Sequence, residues 1–399
     1  MGGALAWDAI VVGGGHNGLT CAAYLARSGR RVLVLEMRPE VGGCSATVDA
    51  IGARVNICNC DHVMIRATPI VEELELRRHG LRYLDVDPTQ LSLSWSGDRP
   101  WFQFQDVDRT LDSLRLSHPS EVGGYKRYLS AARPAVDLII EAANGLPTAR
   151  RMTRVLLERR GRGARIVNAW SRRSAIDVLR SFFSSDALIA PAATIGPVLW
   201  GLPPALPGTG LGALGYAFRH AVGVGRPAGG SGALAEAIAA AVRAGGSEVR
   251  VGVRVNEILV DDVRVRGVAL ADGEAIEAPV VVAACDPRHA LLGWLRGAPP
   301  PGQRLIARWR RKPTVEGYEA KIDAVIDFLP DYTGVDHRTM NALGVHEARI
   351  PTAVIAPSIV GIADAHQTMT RGRVARRPPM LINIPSVLDP SLGPPAAPG

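Results

Sequence analysis

The sequence predicts an α/β fold in two parts, a parallel sheet with helices at the amino terminus and a second domain of mixed α+β character. Three observations carry this. The apolar run Ala9-Ile10-Val11-Val12 leads straight into four glycines within VVGGGHNGL. A helical pattern follows, and then a second apolar run, Arg31-Val32-Leu33-Val34-Leu35, which ends at Glu36. A strand–helix–strand order inside about 30 residues makes the two strands parallel neighbours, because the helix returns the chain to the sheet's starting edge. At 399 residues the chain exceeds one ordinary core, so a second domain is expected.

Each element has a local reason. Asn17 to Ser28 carries a small apolar face of Leu19, Ala22, Ala23, Leu25 and Ala26, and Gly29 stops it. Pro69 to Leu81 has a helical pattern closed by His79-Gly80. Residues 201–230 are rich in Gly and Pro and read as loops lining a cleft. Ser231 is placed to cap a helix over Gly232–Ala244, ended by Gly245-Gly246. Strands are expected at Glu248–Val251, Val255–Val260, Val263–Leu270 and Val280–Ala284, with Asp272-Gly273 as a hairpin turn between two of them. Lys321–Phe328 alternates like a further strand. The domain plan that follows is discontinuous: 1–66 with 225–300, and 67–224 with 301–399.

Composition excludes several classes. Hydrophobic residues make up 47% of the chain, too many for a disordered protein. Five cysteines without regular spacing are no disulfide framework, and Cys58-Asn59-Cys60 lacks the second pair a zinc site needs, so no metal is expected. The amino terminus has no basic n-region and no apolar run reaches membrane-spanning length, which makes the cytoplasm the expected location. The net charge is +8, nearly all from arginine. Aromatics at 5% are too few for a base-stacking platform, so nucleic acid is not an expected partner. In one stretch Arg150, Arg151, Arg154, Arg159, Arg160, Arg162, Arg165, Arg172 and Arg173 are opposed by Glu158 alone. This stretch reads as a solvated helix with an exposed loop at Gly161–Gly163; its sharper reading is a basic patch for peripheral membrane contact.

The glycines themselves spell GxGxxG over Gly13-Gly14-Gly15-His16-Asn17-Gly18. Between a strand and a helix, with an acid closing the next strand, the pattern marks a Rossmann-like dinucleotide site. Gly13 permits the tight turn, Gly15 lets backbone approach a pyrophosphate, and Gly18 lets helix and strand pack. The helix start, with His16 and Asn17, offers free N–H groups to the phosphates. Glu36 would accept hydrogen bonds from the adenosine ribose, with Met37 beside it, and its charge disfavours a 2′-phosphate. FAD or NAD is thereby expected over NADP.

Beyond Glu36, the segment Met37-Arg38-Pro39-Glu40-Val41-Gly42-Gly43-Cys44-Ser45-Ala46-Thr47 fits E-x5-GG-x3-[ST]. It resembles the flavoprotein family that includes glutathione-reductase-like, amine-oxidase and carotenoid-desaturase enzymes. The ordered series Gly229-Gly230-Ser231-Gly232-Ala233-Leu234, Val253–Ile258, Gly267–Gly273 and Val280–Pro287 is similar to the phytoene desaturase and carotenoid isomerase branch. The resemblance implies a glutathione-reductase-type FAD-binding domain joined to a mixed α+β substrate domain. FAD is the implied cofactor, with Arg38, Gly42, Gly43, Thr47 and Val255 added to its contacts. The implied activity is FAD-dependent dehydrogenation, desaturation or isomerisation of an apolar, polyene- or lipid-like substrate, with an electron acceptor that is not named. The family's glycine-rich flavin-closing segment is not found after Leu388, so the substrate domain is expected to be truncated. A catalytically impaired cofactor-binding or scaffold protein is one alternative, and a flavin amine oxidase another. No catalytic residue is assigned; His16, Asp61 and His62 are the suggestive titratable groups.

Overall fold

A computed structural model describes residues 7–58, 60–158, 161–261, 264–295, 300–314, 319–332, 334–346 and 350–394. The strands, in chain order, are β1 (Ala9–Val12), β2 (Val32–Leu35), β3 (Thr47–Ala50), β4 (Ala53–Asn56), β5 (Tyr83–Asp85), β6 (Gln90–Ser94), β7 (Trp101–Gln103), β8 (Gly225–Pro227), β9 (Glu248–Arg250), β10 (Val255–Val260), β11 (Val265–Leu270), β12 (Ala275–Glu277), β13 (Val281–Ala283), β14 (Thr352–Ala356) and β15 (Met380–Asn383).

The first sheet runs β13-β1-β2-β9, all parallel. Every residue of β1 and β2 is buried, because both faces of the sheet are covered. Alternation along the strands sorts the side chains. Val11, Val32 and Val34 meet the helices His16–Arg27 and Gly232–Ala244, whose alanines let them lie close. Ile10, Val12, Leu33 and Leu35 face the antiparallel sheet β10-β11-β12 through Val255, Val268 and Leu270. Asp272-Gly273 does make a hairpin, with Gly273 at φ +95°. Its second strand is β12 and not Val280–Ala284, which instead joins β1 in parallel as β13.

The second domain carries the sheet β15-β14-β6-β7, drawn from both halves of the chain. Against it stands a helical layer built on Val122–Ala143, with Tyr125, Tyr128, Tyr216 and Trp101 fully buried at the centre. Their polar ends are satisfied: Tyr128 donates to Ala213 O (2.6 Å), Tyr216 to Leu188 O (2.9 Å) and Trp101 Nε1 to Ala187 O (3.0 Å). The apolar stretch Ile176–Leu188 contributes the helix Ala175–Arg180 and the start of the helix Asp186–Ile195 to this core, whereas Trp200, Leu202 and Leu206 of the stretch Ile195–Leu206 stay exposed.

Four local expectations change. Pro69–Leu81 is helical only over Ile70–Glu73; Glu75 adopts φ +50° and breaks the helix, although Leu74, Leu76 and Leu81 keep their buried places. The arginine stretch is two helices, Ala149–Glu158 and Arg162–Trp170, and Gly163 is packed so that a Cβ would collide with Pro134 O. Arg159 and Arg160 lie outside the described residues. Residues 201–230 include the helix Gly215–Val222. Lys321–Phe328 forms no strand: it pairs with none of the described sheets, and Ile322 and Phe328 stay 88% and 66% exposed.

A buried ion pair lies beside the sheet β15-β14-β6-β7. Arg226, in β8, holds Asp61 at 2.7 Å with both side chains nearly inaccessible. The same guanidinium donates to Pro351 O (3.0 Å), Thr352 Oγ1 (2.7 Å) and Asn383 Oδ1 (3.0 Å) on β14, β15 and their flank. Truncating one partner of such a pair strands a buried charge, so Arg226→Met is expected to cost about 3–5 kcal/mol of unfolding free energy. The double variant Asp61→Asn/Arg226→Met is expected to recover much of that loss in denaturant titration.

Candidate cofactor site

The site lies at the carboxyl ends of β1 and β2, the edge of an open α/β sheet where ligands bind. Gly13 leaves β1 at φ +111°, and a Cβ there would lie 2.7 Å from Ala284 O, at the end of β13. Gly18 is closer still: a Cβ on it would collide with Gly13 O. Both glycines are therefore demanded by backbone packing. Gly15 differs. Its Cβ would meet nothing nearer than Gly42 O at 3.9 Å, so this position faces a cradle rather than a wall.

The opposite wall of the cradle is the second glycine pair. Gly42 N donates to Gly14 O (2.8 Å), and Gly42 and Gly43 adopt φ +120° and +58°. A Cβ on Gly43 would reach Gly15 Cα at 3.2 Å. The helix His16–Arg27 starts here with no side-chain cap and no acid in its first turn. Two side-chain-free loops and an uncapped helix start fit a diphosphate. A linear dinucleotide such as FAD could be held by Gly13, Gly15, Gly18, Gly42 and Gly43.

Glu36 is buried at the end of β2, where Oε2 accepts from Gly14 N (2.7 Å) and Oε1 from Arg38 N (2.9 Å). Each carboxylate oxygen retains a further lone pair for a ribose hydroxyl. Arg38 Nη1 reaches Gly43 O at 3.4 Å and so ties the acid's loop to the glycine pair. Asn17 and Met37 are exposed beside the loop. His16 Nδ1 pairs with Ser45 Oγ at 3.0 Å, and burial lowers its pKa.

Thr47 and Val255 occupy structural positions. Thr47 Oγ1 donates to Asn56 Oδ1 (2.8 Å) and accepts from Gly232 N (2.8 Å), so it caps the helix Gly232–Ala244 from a distant strand. Ser231 precedes that helix as expected, but its hydroxyl does not cap it; Ser231 Oγ pairs with His62 Nε2 at 3.1 Å. Val255 is 3% exposed in the core between the two sheets, and the preceding Val253 N donates to Glu36 O (2.8 Å), which brings this segment beside the acid.

Sequence reasoning missed Ser45 as the partner of His16, and Asn56, Tyr83 and Ser231 as a connected polar set. His62 sits in that set, with Nδ1 2.9 Å from the Tyr83 hydroxyl. Burial lowers its imidazole to about 4, with nearby Asp61 opposing the shift and His16 and Arg66 adding to it. It is neutral near pH 7. No local pattern flags these residues, which are joined only by folding. Cys60 is buried, and its thiol is pushed up to about 12, mainly by burial, so it is not a thiolate nucleophile.

This geometry defines a dinucleotide-binding oxidoreductase fold. A family model for an NAD(P)-binding Rossmann-like domain matches residues 11–69, and one for flavin containing amine oxidoreductase matches residues 79–314. The chain belongs to the flavin containing amine oxidoreductase family, whose enzymes are FAD-dependent. It is 27% identical over 432 residues to the mouse pyridine nucleotide-disulfide oxidoreductase domain-containing protein 2, covering 98% of this chain and 71% of that one. Over 141 residues, 35% of this chain and 26% of the relative, it is 33% identical to a limonene dehydrogenase component of Castellaniella defragrans. Among solved structures it is similar in fold to wild-type putrescine oxidase bound to putrescine, with TM-score 0.50 at 17% identity, 75% of this chain and 63% of that chain. The chain thus spans less than two thirds of that neighbour's length.

Two outcomes follow. Gly15→Ala is expected to fold with near-normal stability yet lose most bound flavin, because its methyl enters the cradle, whereas Gly18→Ala is expected to fail in folding itself; flavin absorbance per folded protein against circular dichroism separates them. The second concerns pH. Between the ordinary histidine value of 6.5 and about 4, the unfolded chain takes up a proton that folded His62 does not. Stability is therefore complete above that window and falls as pH drops through it, by about 3 kcal/mol from this group. His62→Gln is expected to flatten the pH dependence of the urea midpoint.

Proposed function

We propose that this protein removes or relocates hydrogen on an apolar, polyene- or lipid-like substrate, using FAD as the redox group. FAD, when bound, supplies the hydride acceptor, and the chain supplies binding, orientation and exclusion of water. The glycine cradle would hold the diphosphate, Glu36 the ribose, and the second domain would cover the reacting end.

The observation that carries the substrate reading is the state of the buried carboxylates. Glu36 is engaged by two backbone N–H groups, Asp61 by Arg226, and Glu121 by Ser184 and Ser185. An ammonium group entering this interior would have to share each of these carboxylates with donors already in place, and a buried cation without a full set of partners is costly. An apolar chain needs no such partner and suits a domain whose interior is built from Ala, Leu, Ile and aromatic side chains. The limonene dehydrogenase relative, named for a hydrocarbon, supports the same direction.

The test is anaerobic mixing of the flavin-loaded protein with an isoprenoid or polyene panel and, separately, with primary amines. Bleaching of the oxidised flavin band by a member of the first set and not the second is expected. Bleaching by amines alone would assign an amine oxidase. A colourless protein whose melting temperature FAD does not shift would assign a scaffold without turnover.

A further inference from the structure

The two arginine-bearing helices present a surface the redox site does not use. Ala149–Glu158 turns Val155 inward and leaves Arg150, Arg154 and Leu157 on one outward stripe at spacings of four and three. Arg162–Trp170 buries Gly163 and Trp170 and leaves Arg162 and Arg165 outward. Arg172 follows, exposed. None of Arg150, Arg154, Arg162, Arg165 and Arg172 makes an ion pair among the described residues. The other two described arginines of the stretch serve the fold: Arg151 reaches the carbonyl oxygens of Glu141, Ala142 and Gly145, and Arg173 bonds Asp177 O and Ser181 Oγ.

Large apolar side chains accompany the charges. Leu146, in the turn before the first helix, is 78% exposed, and Leu157 is 72% exposed. The loop after Pro197 adds Trp200, Leu202 and Leu206, all exposed. Backbone holds that loop to the chain just past the second helix, where Gly208 N and Gly210 N both donate to Arg173 O at 3.0 Å. A phosphate backbone gains nothing from leucines this exposed. Unpaired cations interleaved with aliphatic chains complement an anionic lipid surface, where guanidinium groups meet headgroups and leucines enter the acyl boundary.

We propose that this face of the second domain docks on anionic bilayers. This goes beyond the redox reading and stands or falls apart from it. The test uses flavin-loaded full chain with vesicles of phosphatidylcholine alone and of phosphatidylcholine with an equal part of phosphatidylglycerol, read by co-sedimentation. Binding to the mixed vesicles, weakened by salt, with little binding to phosphatidylcholine alone, is expected. Arg150→Gln/Arg154→Gln is expected to lower partitioning at least about tenfold. Leu157→Gln, which leaves the charge unchanged, is expected to lower it several-fold, with melting temperature and flavin content unmoved in both. Absence of binding to anionic vesicles overturns the proposal, as does binding that survives both variants. An oligonucleotide bound through the same arginines, indifferent to Leu157→Gln and able to strip the protein from vesicles, overturns it in favour of nucleic acid.

Discussion

Everything in the amino-terminal domain depends on backbone touching backbone where β1 gives way to its helix. Gly18 lies against the carbonyl of Gly13, and Gly13 against the carbonyl of Ala284, at separations that leave no room for a single carbon. Those contacts bring the helix start to the end of the parallel sheet and aim its unpartnered N–H groups at one point. The second glycine pair then closes on the first. The result is a cradle made of main chain, with its depth set by the absence of side chains and its charge by a helix end with no acid in its first turn.

A second constraint joins this domain to the other. The Arg226 guanidinium satisfies a carboxylate, two side-chain oxygens and a backbone carbonyl drawn from widely separated segments. Such a group is stable in the interior only while all its partners are present, so it favours one arrangement of the two domains over many. His62 is the neighbour of Asp61 in sequence and belongs to the adjoining network with Tyr83 and Ser231. Two polar groups, one around His62 and one around Arg226, thus lie side by side among cores that are otherwise apolar.

How much of this could be read from the residues depends on the range of the interaction. The βαβ unit was legible because its period, its glycines and its acid lie within one short segment. The helix Gly232–Ala244 was legible for the same reason, yet its cap was not. Ser231 stands where a cap belongs, while the hydroxyl that receives Gly232 N comes from Thr47, far away in sequence. Lys321–Phe328 shows the opposite failure. Its alternation suits a strand, but a strand also needs a neighbouring edge, and alternation says nothing about edges.

What the sequence alone determined is a dinucleotide site: glycine spacing, a following acid and a second glycine pair are local features, and their backbone consequences are local too. The tertiary structure decided what those residues are spent on. It separated glycines demanded by packing from the one facing the cradle, turned Thr47 into a helix cap, sent Val280–Ala284 to β1 instead of the hairpin, and assembled the His62 and Arg226 networks. Each of these rests on contacts between segments distant in the chain, and no periodicity or spacing encodes which distant partner arrives.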